Sequence, residues 1–73
     1  MLPTDLVRMS TQIAQFFEPY PPGEAIEGVQ DHLRKFWTPA MRADLAAVRR
    51  GHTPALHPLV AEAVDRLLVG TRA

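Results

Sequence analysis

The sequence predicts a small all-α protein, a bundle of three to four short helices in a single domain that covers residues 1–73. Apolar residues recur at three- and four-residue spacing along most of the chain, which is the period of an amphipathic helix. Seven prolines and four glycines divide the periodic segments into lengths that suit short helices. We find no segment that predicts a strand.

The first helix is expected to begin near Thr4, a suitable N-cap, and to stop at Pro19. Asp5 is favourably placed against the helix dipole. The apolar stripe covers about half of the circumference, so this helix should contact two neighbours, or one neighbour and a partner. The stripe consists of Leu6, Val7, Met9, Ile13, Ala14, Phe16 and Phe17.

Residues 19–23 form a rigid proline-rich connector, and the second helix is predicted from Glu24 to Trp37. Asp31 and Lys35 are expected to pair on its outer face. Gly28 lies mid-helix, where it either permits the close approach of another backbone or is simply tolerated; we favour the second reading. The apolar stripe consists of Ala25, Ile26, Val29, Leu33, Phe36 and Trp37, with His32 at one edge.

Thr38-Pro39 is the clearest local signal in the chain. Proline disfavours the helical conformation at the residue before it, so Thr38 should end the second helix and cap the third, with Pro39 at the first position. The third helix is predicted to continue to Arg50, where Gly51 supplies a left-handed stop. Its core residues are Met41, Leu45 and Val48.

The fourth helix is predicted from Pro58 to Val69, before Gly70, after a loop over residues 52–57. It carries another wide apolar stripe, which consists of Leu59, Val60, Ala63, Val64, Leu67 and Leu68.

Charge is balanced overall, with 8 basic and 8 acidic residues, but it is unevenly distributed. Residues 32–52 hold five basic residues against Asp44, a net of +4, and the rest of the chain therefore carries −4. The zero total argues against a dedicated nucleic-acid or membrane-surface binder. The uneven distribution predicts a bipolar chain, which could orient it on a partner. The sequence shows no secretory signal and no apolar run of about 20 residues, so we expect a cytoplasmic location.

No arrangement of residues predicts catalysis. Cysteine is absent, which excludes disulfides and thiolate metal ligands. His52 and His57 lie close in sequence but lack the three or four ligands of a zinc site, and His32 is better explained as a helix-boundary residue than as an acid–base group. The chain is also too short to enclose a substrate pocket. We therefore expect neither a bound metal nor enzymatic activity.

The turn between the second and third helices is the predicted partner-binding surface. It concentrates aromatic and basic residues, which protein interfaces favour. Trp37 lies at the edge of its stripe and is expected to be partly exposed, ringed by arginines; alternatively, it is a core residue. If Arg42 and Arg49 are exposed charges of this surface, reversing their charge should barely affect folding. The predicted surface consists of Arg34, Phe36, Trp37, Pro39, Met41, Arg42 and Arg49.

Three separated blocks also resemble a known family. Thr11-Gln-Ile-Ala-Gln-Phe-Phe17, the segment from His32 to Arg42, and Leu56-His-Pro-Leu-Val60 are similar to the delta subunit of NAD-dependent, molybdenum-containing formate dehydrogenases. The chain departs from that pattern at Thr11, where Asn is common, at Ala40, where a basic residue is common, and at His57, where a capping Ser is common.

The resemblance implies a non-catalytic subunit that assembles with or stabilises a cytoplasmic enzyme. Its partners would be the larger formate dehydrogenase subunits, with the catalytic alpha subunit expected first. It implies no cofactor in this chain, since the molybdenum cofactor, iron–sulfur clusters and FMN would belong to other chains. No nucleic acid and no membrane are expected as partners, and self-association of the isolated chain stays possible. The alternative is a free-standing helical regulatory or DNA-associated protein, which the helix–turn–helix arrangement of the middle segment permits.

Overall fold

The computed structural model describes residues 3–51 and 55–72, with the side chains of residues 4–51 and 55–68. Over these ranges the backbone forms four α-helices and no strand, so the predicted all-α bundle is confirmed. The helices are α1 (Pro3–Phe17), α2 (Pro22–Phe36), α3 (Pro39–Gly51) and α4 (Pro58–Arg72). Helix α1 contacts the other three, and α4 packs most extensively against α2.

Each of the four helices begins with a proline. Proline suits the first helical position because its missing N–H would have no intrahelical partner and its φ is already helical. The predicted starts of the first two helices are therefore too late. Thr4 lies inside α1 and is not its N-cap, and Pro22 and Gly23 form the first turn of α2, ahead of Glu24. Pro21 precedes α2 with an extended ψ of 144° and no side-chain cap.

The glycines at the predicted ends of α3 and α4 lie within these helices. Gly51 is the last residue of α3 and its φ is outside the left-handed range, so the predicted left-handed stop is wrong. Helix α4 continues through Gly70 to Arg72, beyond the predicted end at Val69. A helical glycine costs only about 1 kcal/mol relative to alanine, which neighbouring turns can offset. His52 and the start of the predicted loop lie in residues 52–54, outside the described residues.

The core is built largely from small side chains, which let the helix backbones approach closely. Ser10 is also fully buried, and sequence periodicity did not place it in the core. Its hydroxyl donates to the carbonyl of Val7 at 2.8 Å, so the buried oxygen is satisfied within α1. The buried apolar residues are Leu6, Ala14, Ala25, Val29, Leu33, Trp37, Leu45, Ala46, Val48, Val60, Ala63 and Val64.

Phe16 and Phe17 have different environments although both belong to the predicted stripe of α1. Phe17 packs against the core, whereas Phe16 is 68% exposed. The two rings meet edge to face, with centroids 5.0 Å apart. Successive helical residues differ by about 100° in direction, so the predicted stripe was wider than the face that the other helices cover.

Gly28 accommodates a close contact with Phe17. A Cβ atom at this position would collide with three carbon atoms of the Phe17 ring. The absent side chain therefore lets an aromatic ring of α1 lie directly against the backbone of α2. The reading that Gly28 is simply tolerated is wrong, and the neighbour that approaches is a side chain, not another backbone.

Thr38 caps α3 as predicted. Its Oγ1 accepts a hydrogen bond from the backbone N–H of Met41 at 3.1 Å, and its carbonyl accepts one from the N–H of Arg42 at 3.0 Å. Pro39 occupies the first helical position, where it needs no acceptor. The Thr38 carbonyl thus accepts the first intrahelical bond of α3, and its side chain supplies an acceptor for one N–H that would otherwise be unpaired.

Arg49 binds Asp65 and so joins the last turn of α3 to α4. Its Nε donates to Oδ1 at 3.0 Å and its Nη2 donates to Oδ2 at 2.9 Å, a bidentate geometry. These hydrogen bonds lower the pKa of Asp65 and raise that of Arg49. The expectation that Arg49 is an unattached surface charge is therefore wrong, because its planar fork matches a carboxylate on the neighbouring helix.

We predict that Thr38→Ala lowers the free energy of unfolding by about 1 kcal/mol, because the Met41 N–H loses its acceptor. Thr4→Ala is the matched control, since Thr4 is an exposed threonine inside the first turn of α1 and is not at a cap position. That variant should stay within about 0.5 kcal/mol of the parent. Urea unfolding followed by circular dichroism measures both. Equal losses in the two variants would show that Thr38 does not act as a cap.

We also predict that the stability difference between the parent and Asp65→Asn depends on pH. The pKa of Asp65 is lowered in the folded state, whereas an unfolded aspartate titrates at about 3.9. The carboxylate therefore contributes stability above about pH 4, and this contribution is lost as the pH falls through the lower folded value. Urea midpoints measured from pH 7 down to pH 2.5 should diverge at the neutral end and converge at the acid end.

Asp44→Asn is the control for this pH series. It removes an exposed carboxylate from α3 and leaves the bonds between Arg49 and Asp65 intact. A constant difference between parent and Asp65→Asn over the whole pH range would contradict the assignment. So would a difference that widens at low pH.

Candidate partner-binding groove

Helices α2 and α3 diverge from the turn that joins them. Trp37 and Thr38 form this turn, and beyond it α2 and α3 make less contact with each other than any other pair of helices. Helix α4 packs against both and lies between them. An open groove results, bounded on two sides by α2 and α3 and floored in part by α4.

Arg42 bridges α3 to the end of α2. Its Nη1 donates to the carbonyl oxygens of Trp37 at 2.7 Å, Arg34 at 3.1 Å and Leu33 at 3.2 Å. The last carbonyls of a helix have no intrahelical partner and carry its negative dipole end, so a guanidinium there is doubly favourable. These contacts argue against the expectation that charge reversal at Arg42 barely affects folding. Without Arg42 the carbonyls of Trp37 and Arg34 would lose this donor, whereas that of Leu33 would keep the N–H of Trp37.

The groove has a volume of about 610 Å³ and an apolar floor. The residues of α3 that face it have short or tightly held side chains, notably Pro39, Ala43 and Ala46, so the space between the diverging helices stays unfilled. Three arginines line it, and no carboxylate does. The full lining consists of Gln30, Leu33, Arg34, Pro39, Arg42, Ala43, Leu45, Ala46, Val64, Arg66, Leu67 and Leu68.

Arg34 and Arg66 are the exposed arginines of the groove. Arg34 is paired with Asp31 at 3.1 Å, and Arg66 with Glu62 at 3.3 Å, each within its own helix. The predicted pair of Asp31 with Lys35 is thus replaced by Asp31 with Arg34. About half of each side chain in these two pairs is exposed to solvent. Exposed pairs of this kind contribute only about 0–1 kcal/mol, so either arginine can exchange its partner at little cost.

The seven residues of the predicted binding surface lie in different environments. Arg34, Pro39 and Arg42 line the groove. Met41 is half-buried against the core, and Arg49 binds Asp65 away from the groove. The two aromatic residues differ from expectation: Phe36 is exposed, and Trp37, which was expected to be partly exposed, is buried.

Trp37 is only 5% exposed and belongs to the core, so the prediction of a partly exposed indole is wrong. Trp37 lies just past α2 with an extended backbone, φ −95° and ψ 142°, and helical periodicity therefore no longer predicts the direction of its side chain. Phe36 is 71% exposed and does not line the groove. Its ring lies beside that of His32, with centroids 4.8 Å apart.

Sequence reasoning missed the contribution of α4 to the groove. Arg66 and Leu68 had no distinguishing signal, because the stripe on α4 predicts burial but not which helices cover it. Leu68 is 37% exposed although it belongs to that stripe, so the stripe extends past the face that α2 and α3 cover. Only the divergence of α2 and α3 turns this end of the stripe into a groove wall.

His57 performs the capping role at the start of α4. The N–H of Leu59 donates to its Nδ1 at 3.1 Å, which places the proton on Nε2. This Nε2 donates to Glu18 Oε2 at 2.7 Å, so the same ring joins the end of α1 to the start of α4. The family pattern that we described has a capping Ser here, and an imidazole nitrogen supplies the equivalent acceptor.

Within residues 3–51 and 55–72, no three His, Asp or Glu side chains lie close enough together to hold a metal ion. None of the helices over the same ranges is long and apolar enough to cross a bilayer.

Comparison with known proteins identifies the family. No curated protein and no solved structure matched the sequence. The model of one protein family, described as NADH-dependent formate dehydrogenase delta subunit FdsD, matches residues 5–64. This match spans α1, α2, α3 and the first part of α4, and so includes most of the groove. The chain therefore belongs to the family of formate dehydrogenase delta subunits.

Proposed function

We propose that this chain is a non-catalytic accessory subunit that assembles with, and stabilises, a cytoplasmic NAD-dependent formate dehydrogenase. The observation that carries the proposal is the family match over residues 5–64. A delta subunit is named for its place among other subunits, so association with them is the expected activity. The catalytic alpha subunit is the partner that we expect first, and the redox cofactors of the enzyme would be held by chains other than this one.

The exposed aromatic residues support a docking role. Phe36 is 71% exposed although the core contains several alanines, so a large apolar side chain is left outside while small ones are buried. Protein interfaces are enriched in aromatic residues, and a few of these residues carry most of the binding energy. We therefore place the docking contact at the end of α2, around Phe36 and the neighbouring groove.

The DNA-associated alternative has less support. A recognition helix needs side chains that reach base edges, such as Arg, Asn or Gln. The exposed face of α3 carries Ala40, Ala43, Asp44 and Ala47. Of the three arginines of α3, Arg42 binds the end of α2 and Arg49 binds α4, which leaves only the exposed Arg50 for a phosphate contact.

We predict that Phe36→Ala weakens association with the other formate dehydrogenase subunits by about 2 kcal/mol, roughly thirty-fold in Kd. The tagged chain is co-expressed with those subunits, and both its recovery in the complex and its Kd for the purified remainder of the enzyme are measured. Phe16→Ala is the matched control, because Phe16 is 68% exposed at the end of another helix. Both substitutions are at exposed positions, and circular dichroism verifies the fold.

Failure of the parent chain to bind any formate dehydrogenase subunit would overturn the proposed function. Loss of binding in Phe16→Ala with normal binding in Phe36→Ala would move the docking contact to the end of α1.

The stabilising role is tested by preparing the enzyme with and without this chain. Equal half-lives of formate-dependent NAD reduction at elevated temperature would contradict a stabilising role.

A further inference from the structure

The charged residues that line the groove between α2, α3 and α4 are all basic. Arg34, Arg42 and Arg66 line it, and none of its lining residues is acidic. Its exposed apolar lining includes Pro39, Ala43 and Leu68. Beneath them lie buried apolar residues that include Leu33, Leu45 and Val64. An apolar floor with basic groups at its edges complements a ligand that carries apolar groups between carboxylates.

The form of the groove favours a polypeptide segment over a small molecule. Small-molecule sites enclose most of the ligand and aim a few polar groups inward. Here Arg34 and Arg66 are about half exposed at the edge, whereas the apolar residues lie beneath. A polar rim around an apolar centre is the usual organisation of a protein–protein interface.

We propose that this groove binds a segment of another formate dehydrogenase subunit in which apolar side chains are flanked by Asp or Glu. The inference rests on the proposed function and adds the location and the chemistry of the contact. Apolar side chains of the segment pack on Leu67 and against Leu68, which is 37% exposed. Its carboxylates bind Arg34 and Arg66, which release Asp31 and Glu62 to water.

Arg42 provides a third donor without giving up its structural role. All three of its hydrogen bonds at the end of α2 use Nη1. Among the described residues its Nε and Nη2 have no acceptor, so they can bind a carboxylate in the groove. A guanidinium that is already held in place loses little side-chain entropy when it binds a second partner. The fixed arginine therefore marks where along the groove a carboxylate of the segment lies.

The first test blocks the groove. The chain has no cysteine, so Ala43→Cys introduces a single thiol that can be labelled with a bulky maleimide. Ala43 is exposed and lines the groove, whereas Ala47, one turn further along α3, is equally exposed but does not line it. We expect labelled Ala43→Cys to lose at least ten-fold in affinity for the remainder of the enzyme. Labelled Ala47→Cys should bind as the parent does.

The second test reverses the charge of the rim. Arg34→Glu with Arg66→Glu should weaken binding at least ten-fold and reduce its dependence on salt. The control is Arg8→Glu with Arg50→Glu, which changes the net charge equally outside the groove. Arg8 pairs with Asp5 on its own helix as Arg66 does with Glu62, and Arg50 lies in the last turn of α3 as Arg34 does in that of α2.

Each combination of results has one meaning. If the parent chain binds no other subunit, the proposed function fails. If the parent binds and labelled Ala43→Cys binds equally well, the groove is not the contact and this inference is overturned. If the label blocks binding but the rim reversal acts no more strongly than its control, the segment is not acidic, which also overturns it. If the parent sediments as a dimer and labelled Ala43→Cys as a monomer, the occupant is a second copy of this chain, which overturns the inference.

Discussion

The contact of Arg42 with the end of α2 fixes the arrangement of the two helices on which the rest of the site depends. A helix that ends at a tight turn leaves carbonyls without partners, and here one guanidinium from the next helix reaches two of them, at Arg34 and Trp37. It also reaches the carbonyl of Leu33, which accepts the N–H of Trp37 as well. Because Arg42 lies in the first turn of α3 and Thr38 caps that same turn, the junction is constrained from both sides. Polar contacts at their shared end, together with the packing of both helices on α1 and α4, then set the angle between α2 and α3, which make little contact with each other.

Helix α3 is held at its two ends by arginines on the same side. Arg42 binds α2 and Arg49 binds Asp65 of α4, and seven residues separate them, which is close to two helical turns. This explains how a helix with small side chains such as Ala43 and Ala46 keeps its position although it packs weakly against α2. The pair of Arg49 with Asp65 also partly neutralises the predicted bipolar charge, because a basic residue of the middle segment binds an acidic residue outside that segment.

Local signals predicted the helices well, whereas the exposure of the aromatic residues could not be predicted. The cap at Thr38 and Pro39 depends only on neighbouring residues, and the structure confirms it. Phe36 and Trp37 are adjacent, and periodicity assigns both to one stripe, but the end of α2 separates them and buries the second. The groove depends on which helices diverge, and a contact such as that of Arg42 with α2 has no signature in spacing or composition.

The distribution of large and small side chains links folding to assembly. A chain of 73 residues buries only about 60% of its unfolded surface, so its stability is marginal. Phe16 and Phe36 nevertheless lie outside the core, and burial of one such ring is worth about 1.5–3 kcal/mol. In the proposed complex this energy becomes available only on docking, and any partner that binds the folded chain alone stabilises the fold by mass action. The same exposed rings that leave the isolated bundle weakly stabilised would therefore make its stability depend on the enzyme that it joins.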